Sequence, residues 1–262
     1  MGSYDFVILS KDLFYKGDNY GYIKEIDDYN LLLFCIYFES TNNRIGIIGT
    51  SLGDLITFSK QKINMNKGKS VDKARILLKF MADKNMIGLR GNDIDKISVN
   101  EFMRVRYNPI IKDDTKFVMI PTTIINKIIN SNYKYKNRIL TYWCYLHSRR
   151  YMKKDAGDNK ASVAIVSYDK IQNDIGLSRQ TINKYNDILV NKGLLLYDNC
   201  GNYIDANNKI KESCNIYVTI DDKSIDNVFY KNYLQEGKSQ YKFYIENVCN
   251  GKFLKNSKSI IK

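Results

Sequence analysis

The sequence predicts an α+β, mainly helical fold in which one plan occurs twice. Three observations point there. Apolar residues recur at helical spacing along most of the 262 residues. Short β-branched runs separate the helical stretches. Blocks of the first half also return, in order, in the second. "FVILS" at Phe6–Ser10 matches "FVMIP" at Phe117–Pro121. "LLLFCIYFES" (Leu31–Ser40) matches "ILTYWCYLHS" (Ile139–Ser148) at an offset of 108. "TSLGDLI" (Thr50–Ile56) lines up with "VSYDKIQ" (Val166–Gln172). "SVDKARILLKFMADKNMI" (Ser70–Ile87) matches "SRQTINKYNDILVNKGLL" (Ser178–Leu195), again at 108.

Each copy reads the same way in order. A β-like opening, Phe6–Ser10 or Phe117–Pro121, leads into a first helix of large apolar residues. A short strand follows, "RIGIIG" (Arg44–Gly49) or "SVAIV" (Ser162–Val166). A second helix begins at a capping serine, Ser51 or Ser167, whose oxygen can accept from the free N–H groups of the first turn. After a turn comes a third helix, with Ser70 or Ser178 expected at its cap. A β-hairpin closes each copy, "ISVNEFMRVRY" (Ile97–Tyr107) and "CNIYVTI" (Cys214–Ile220). This order is that of a winged-helix domain, a helix-turn-helix plus a β-hairpin wing. The expected organisation is two tandem winged-helix domains, 1–110 and 111–222, with a helical, basic C-terminal tail at 223–262. "YNPIIKDDTK" (Tyr107–Lys116) reads as the linker. Aromatic residues at helical spacing, Phe229, Tyr230, Tyr233, Tyr241, Phe243 and Tyr244, predict one or two helices in the tail.

The formal net charge is +13, so the surface attracts polyanions. No apolar run approaches the roughly 18 residues of a membrane helix, and the N-terminus lacks a signal-peptide pattern. A cytoplasmic protein without membrane contact is expected, with nucleic acid as the anion. The five cysteines, Cys35, Cys144, Cys200, Cys214 and Cys249, form no C-x-x-C pair, and His147 is the sole histidine. A Cys/His zinc site is therefore not expected. Cys35 and Cys144 read as core residues. Cys200 and Cys214 flank a polar segment where a hairpin could bring them together, as thiols in a reducing compartment.

The chemistry concentrates in "SYDKIQNDIGLSRQTINKYNDILVNKGLL", Ser167–Leu195. Gly176 can take positive φ and end one helix, and Ser178 can cap the next. A tight turn of this kind lets the second helix project into the major groove, roughly 12 Å wide. With Ile182 and Tyr185 facing inward, Arg179, Gln180, Thr181, Asn183 and Lys184 are the candidates for base reading. Arg pairs bidentately with guanine and Gln with adenine. Candidates for the DNA backbone are Ser167, Ser178, Lys136, Arg138, Arg149, Arg150, Lys153 and Lys154. In the first copy they are Lys60, Lys62, Lys67, Lys69 and Arg75. The first copy carries Val71, Asp72, Lys73 and Ile76 opposite Arg179, Gln180, Thr181 and Lys184. That face reads bases poorly, so Val71 and Ile76 are expected to contact a partner or a second copy.

Enzyme signatures are incomplete. "GKS" at Gly68–Ser70 has Ile63 where a P-loop needs glycine, and Gly46, Gly49 and Gly53 lack dinucleotide spacing. Neither an enzymatic activity nor a cofactor is expected.

The stretches "FVMIPTTIINKI", "YKNRILTYWCYL" and "VSYDKIQNDIGLSRQTINKYNDILVNKGLL" resemble the tandem winged-helix replication initiators of plasmids and phages in low-GC bacteria. The resemblance spans about residues 4–220. It implies binding to repeated double-stranded origin sites, with both domains touching DNA and one also mediating dimerisation. It further implies a homodimer or DNA-assembled oligomer and contact with host replication proteins. The abundance of Lys, Asn, Ile and Tyr, with proline at Pro109 and Pro121 alone, fits an AT-rich genome. A transcription regulator, an accessory factor of a mobile element, and a protein-interaction scaffold without DNA binding are the competing readings.

Overall fold

The computed structural model describes residues 6–42, 46–89, 93–108, 117–150, 162–221 and 227–254. The chain divides into two compact units, Met1–Thr141 and Tyr142–Lys262, and each is an α+β assembly of helices with small antiparallel sheets.

The first unit opens with β1 (Phe6–Ser10), a 3-10 turn, and a small ribbon of β2 (Tyr15–Lys16) and β3 (Asn19–Tyr20). It continues through α1 (Tyr22–Ile26), α2 (Asn30–Thr41), β4 (Ile47–Thr50), α3 (Leu52–Phe58), α4 (Ser70–Asp83), β5 (Ile87–Leu89) and β6 (Met103–Tyr107). It ends with β7 (Phe117–Pro121), α5 (Thr122–Ile129) and the first residues of α6 (Lys136–Ser148). Helix α2 is buried all round, from Asn30 to Ile36 and at Phe38, as expected of a helix apolar on every face. Ser51 caps α3 in a capping box: its oxygen accepts from Asp54 N, while the Asp54 carboxylate accepts from Ser51 N. β4, β6 and β5 form a sheet in that order.

Expectation and structure part at three places in this unit. The expected hairpin over Ile97–Tyr107 does not form within that stretch. Residues 93–101 make turns, and β6 pairs instead with β4 and β5. Helix α4 has Lys69 at its cap, while the Ser70 hydroxyl donates to Lys62 O and accepts from Asn64 N. Ser70 therefore pins the preceding loop rather than capping the helix. Finally, β7 lies antiparallel to β1, pairing Phe6 with Pro121 and Ile8 with Met119. The two matching openings of the repeat thus pair with each other inside the first unit, and the division between units falls within α6.

The second unit comprises the rest of α6, β8 (Ala164–Val166), α7 (Tyr168–Ile175), α8 (Arg179–Asn191), β9 (Leu195–Asn199), β10 (Asn202–Ile204) and β11 (Ile210–Glu212). β12 (Asn215–Thr219), α9 (Asn227–Asn247) and β13 (Lys252–Phe253) complete it. Apart from the inserted β10 and β11, the sequence helix–strand–helix–helix–strand–strand and the sheet order β8-β12-β9 parallel those of the first unit. The core is built around Tyr142, Trp143, Cys144, Tyr145 and Leu146 of α6, all 0% exposed. Burying an aliphatic or phenylalanine side chain of comparable size is worth about 1.5–3 kcal/mol. Their polar ends are satisfied: Tyr142 donates to Asn186 Oδ1 (2.6 Å) and Trp143 Nε1 donates to Leu194 O (2.9 Å). The described part of the tail forms one helix, α9, and β13 then adds to β10 in a sheet ordered β11-β10-β13. Helix α9 covers the outer face of β12 with Tyr230, Leu234, Tyr241 and Ile245, against Ile216, Val218 and Ile220. Gly237 permits this approach, since a Cβ there would lie 2.9 Å from Val163. Cys35 and Cys144 are buried, and all five cysteines are free thiols. Among the described residues no helix is long and apolar enough to cross a membrane.

Candidate nucleic-acid interface

Helices α7 and α8 are joined by a turn of residues 176–178. Gly176 closes α7 at φ 74° and ψ 13°, a left-handed conformation that glycine adopts without a steric cost. The Ser178 hydroxyl accepts from Thr181 N and caps α8; Ser167 caps α7 in the same way through Lys170 N. Ile182, Tyr185 and Leu189 are buried, which orients α8. Arg179, Gln180, Asn183 and Lys184 consequently stand exposed at its N-terminal half, with Thr181 half-buried against Ser178 Oγ at 2.9 Å.

Arg179 does not stand alone. Its guanidinium donates to both carboxylate oxygens of Glu212 on β11, at 3.1 and 2.8 Å, and lies 4.8 Å from the centre of the Tyr168 ring. Tyr168 in turn donates to Asn183 Oδ1 at 2.7 Å. The Arg179 and Glu212 side chains are 59% and 48% exposed, so water screens the pair and it is worth only about 0–1 kcal/mol. It can be exchanged for another anion at little cost. Neither Glu212 nor Tyr168 stands out in the sequence. Glu212 meets Arg179 from 33 residues away, beyond any local pattern.

The arginines that end α6 are placed differently from expectation. Arg149 donates to Asp174 Oδ2 at 2.5 Å, and Asp174 is 0% exposed. Tyr145 donates to the same oxygen at 2.8 Å, and Lys170 Nζ lies 3.1 Å from Oδ1 as an ion pair without hydrogen-bond alignment. Arg150 donates to Asp221 at 2.6 Å and to Ser162 Oγ at 3.0 Å. Burial raises the Asp221 carboxyl, but the charge and hydrogen bond of Arg150 and the nearby His147 outweigh burial and hold it below the ordinary aspartate value. His147 itself stacks on Trp143 and shares a hydrogen bond with Thr219. Both arginines are thus committed to carboxylates inside the unit rather than presented to a phosphate. Lys153 and Lys154 lie outside the described residues. Lys136 is half-buried, and Arg138 is exposed, 5.0 and 5.6 Å from the ring centres of Tyr29 and Tyr135.

In the first unit Lys60, Lys62, Lys67 and Lys69 are exposed on the segment between α3 and α4. Arg75 donates through Nε and Nη2 to Ile97 O, which ties α4 to the turns before β6. Val71 corrects the expectation of a partner contact. It is 1% exposed, because the 59–69 segment folds back over the start of α4 and Val71 N donates to Asn64 O. Ile76, at 55% exposed, keeps the open position expected of it. Among the described residues no cluster of three metal-ligating side chains occurs. No protein-family model and no curated protein sequence matches the chain.

Proposed function

We propose that the protein is a sequence-specific double-stranded DNA-binding protein made of two tandem winged-helix domains. In this reading it is a plasmid or phage replication initiator that binds repeated origin sites through α8. The observation that carries DNA binding is the polar face of α8. Arg179, Gln180, Asn183 and Lys184 are exposed at a helix start that Gly176, Ser178 and the buried Ile182 and Tyr185 hold in a fixed orientation. A cationic chain of net charge +13 supplies the attraction to phosphate. On DNA, Arg179 exchanges Glu212 for a guanine edge, and Gln180 and Asn183 present amides suited to adenine. The role in replication rests on the resemblance of the quoted segments. It carries with it assembly as a homodimer or DNA-built oligomer and contact with host replication proteins. Ile76, rather than Val71, is the apolar residue available for such contact.

Selection of bound duplexes from random DNA tests this reading. Direct repeats of one site support an initiator, an inverted repeat at a promoter supports a transcription regulator, and no enrichment refutes DNA reading. Arg179→Ala should relax preference at one base position, worth about 1–3 kcal/mol of discrimination. Equal loss on selected and random duplexes would remove α8 as the reading element.

A further inference from the structure

The two units present the same three-stranded sheet but treat its outer face in opposite ways. In the second unit the outward residues of the central strand β12 are Ile216 and Val218, with Leu196 on β9 beside Val218, and α9 covers them. In the first unit the outward residues of the central strand β6 are Arg104 and Arg106. Arg104 pairs with Gly49 of β4; Arg106 pairs with Ile47 of β4 and Gly88 of β5. Both arginines are exposed, and among the described residues neither has a carboxylate partner. Phe102, just before β6, is 64% exposed and rests its ring against Gly49, where a Cβ would lie 2.6 Å from the ring.

The substitution pattern names the occupant. An uncovered face awaiting a helix would keep aliphatic residues where Ile216, Val218 and Leu196 stand. Here those positions hold two arginines and a glycine, so the face is cationic and, among the described residues, uncovered. An anion fits it, and a helix with an apolar face does not. Two arginines on alternate residues of one strand lie about 6.8 Å apart and can engage successive phosphates of an extended chain. An exposed phenyl ring at one end offers a stacking surface, which only an unpaired base can use.

We propose that the outer face of β4-β6-β5 binds a single-stranded nucleic acid, with Arg104 and Arg106 on the phosphates and Phe102 stacked on a base. This site is built from residues other than those of the α8 face.

The test is fluorescence anisotropy of the full chain with a labelled 20-nucleotide single strand and, in parallel, a labelled duplex. The double variant Arg104→Ala/Arg106→Ala should weaken single-strand binding at least tenfold. Its salt slope should fall by about 1.4, from two phosphates at about 0.7 each. Phe102→Leu keeps an apolar contact with Gly49 but cannot stack, and should lose about 5- to 150-fold. Arg104→Lys/Arg106→Lys should retain most of the binding, which separates lost charge from lost folding. Arg179→Ala should leave single-strand binding intact, so that failure of the α8 reading and failure of this one are told apart. Unchanged single-strand affinity in the alanine pair overturns the proposal. Unchanged affinity in Phe102→Leu overturns the stacking and with it the unpaired strand. Competition by poly-glutamate as effective as by the oligonucleotide also overturns it, in favour of an acidic polypeptide.

Discussion

Arg149→Ala should act on folding rather than on DNA. The side chain is 23% exposed and its guanidinium neutralises Asp174, a carboxylate at 0% exposure that also receives Tyr145 and pairs with Lys170. Removing one member of a buried pair costs about 3–5 kcal/mol, because the other charge stays behind. Two features moderate that here: Arg149 is partly solvated, and Lys170 and Tyr145 still face the carboxylate. About 2–3 kcal/mol is therefore expected, and a unit of this size loses about 4 °C in Tm per kcal/mol, so Tm should drop by about 10 °C. Trp143, the only tryptophan, is fully buried in the core of the second unit and reports its unfolding through fluorescence. Arg149→Lys, with one charge and no fork, should recover part of the loss. A Tm within about 1 °C of the parent, with uniformly weaker DNA binding, would refute the argument and return Arg149 to the phosphate backbone.

Three further outcomes are expected. Val71→Asp buries a lone carboxylate under the 59–69 segment and should unfold the first unit by urea titration, whereas Ile76→Asp should leave its midpoint unchanged; the reverse order would undo the placement of α4. Ser178→Ala should cost about 0.5–2 kcal/mol in the second unit, read as a shift in Trp143 unfolding, by removing the acceptor for Thr181 N. Asp221, held low by Arg150 despite burial, contributes stability above the ordinary aspartate value of about 3.9, and that contribution is lost as pH falls through the lower folded value. The stability difference between parent and Asp221→Asn should therefore shrink as pH falls below about 4; a difference that keeps growing below that pH would contradict the ion pair.

What the sequence revealed was local. Gly176, Ser178, Ser167 and Ser51 each act on backbone within a few residues, and the structure places all four where turn and cap chemistry requires. Core spacing on α8 was likewise legible from its own period. What the sequence hides are partners distant in the chain. Val71 was aligned with exposed Arg179, yet 71, 74, 78 and 81 form one buried stripe on α4, and the long segment before α4 closes over its first turn where the other unit has only a short turn. Arg149 and Arg150 read as free cations because Asp174 and Asp221 lie 25 and 71 residues away. The same distance hid Glu212 from Arg179. "ISVNEFMRVRY" alternates like a hairpin on its own, whereas β6 takes its partners from β4 and β5, which lie outside that stretch.

The pairing of β1 with β7 has a consequence for how the chain is made. Its register centres on Ile8 opposite Met119, so each end of one strand meets the opposite end of its repeat equivalent, as two identical strands would around a dyad. Val7 and Leu9 point inward as Val118 and Ile120 do. A nascent chain holds β1 as an open edge until residue 121 has left the ribosome, and closing so long a loop is entropically slow. During that interval β1 is an unpaired strand edge, which is a hazard for pairing with other chains. The strand made first is thus closed by one made more than a hundred residues later, and its edge stays exposed for as long as that takes.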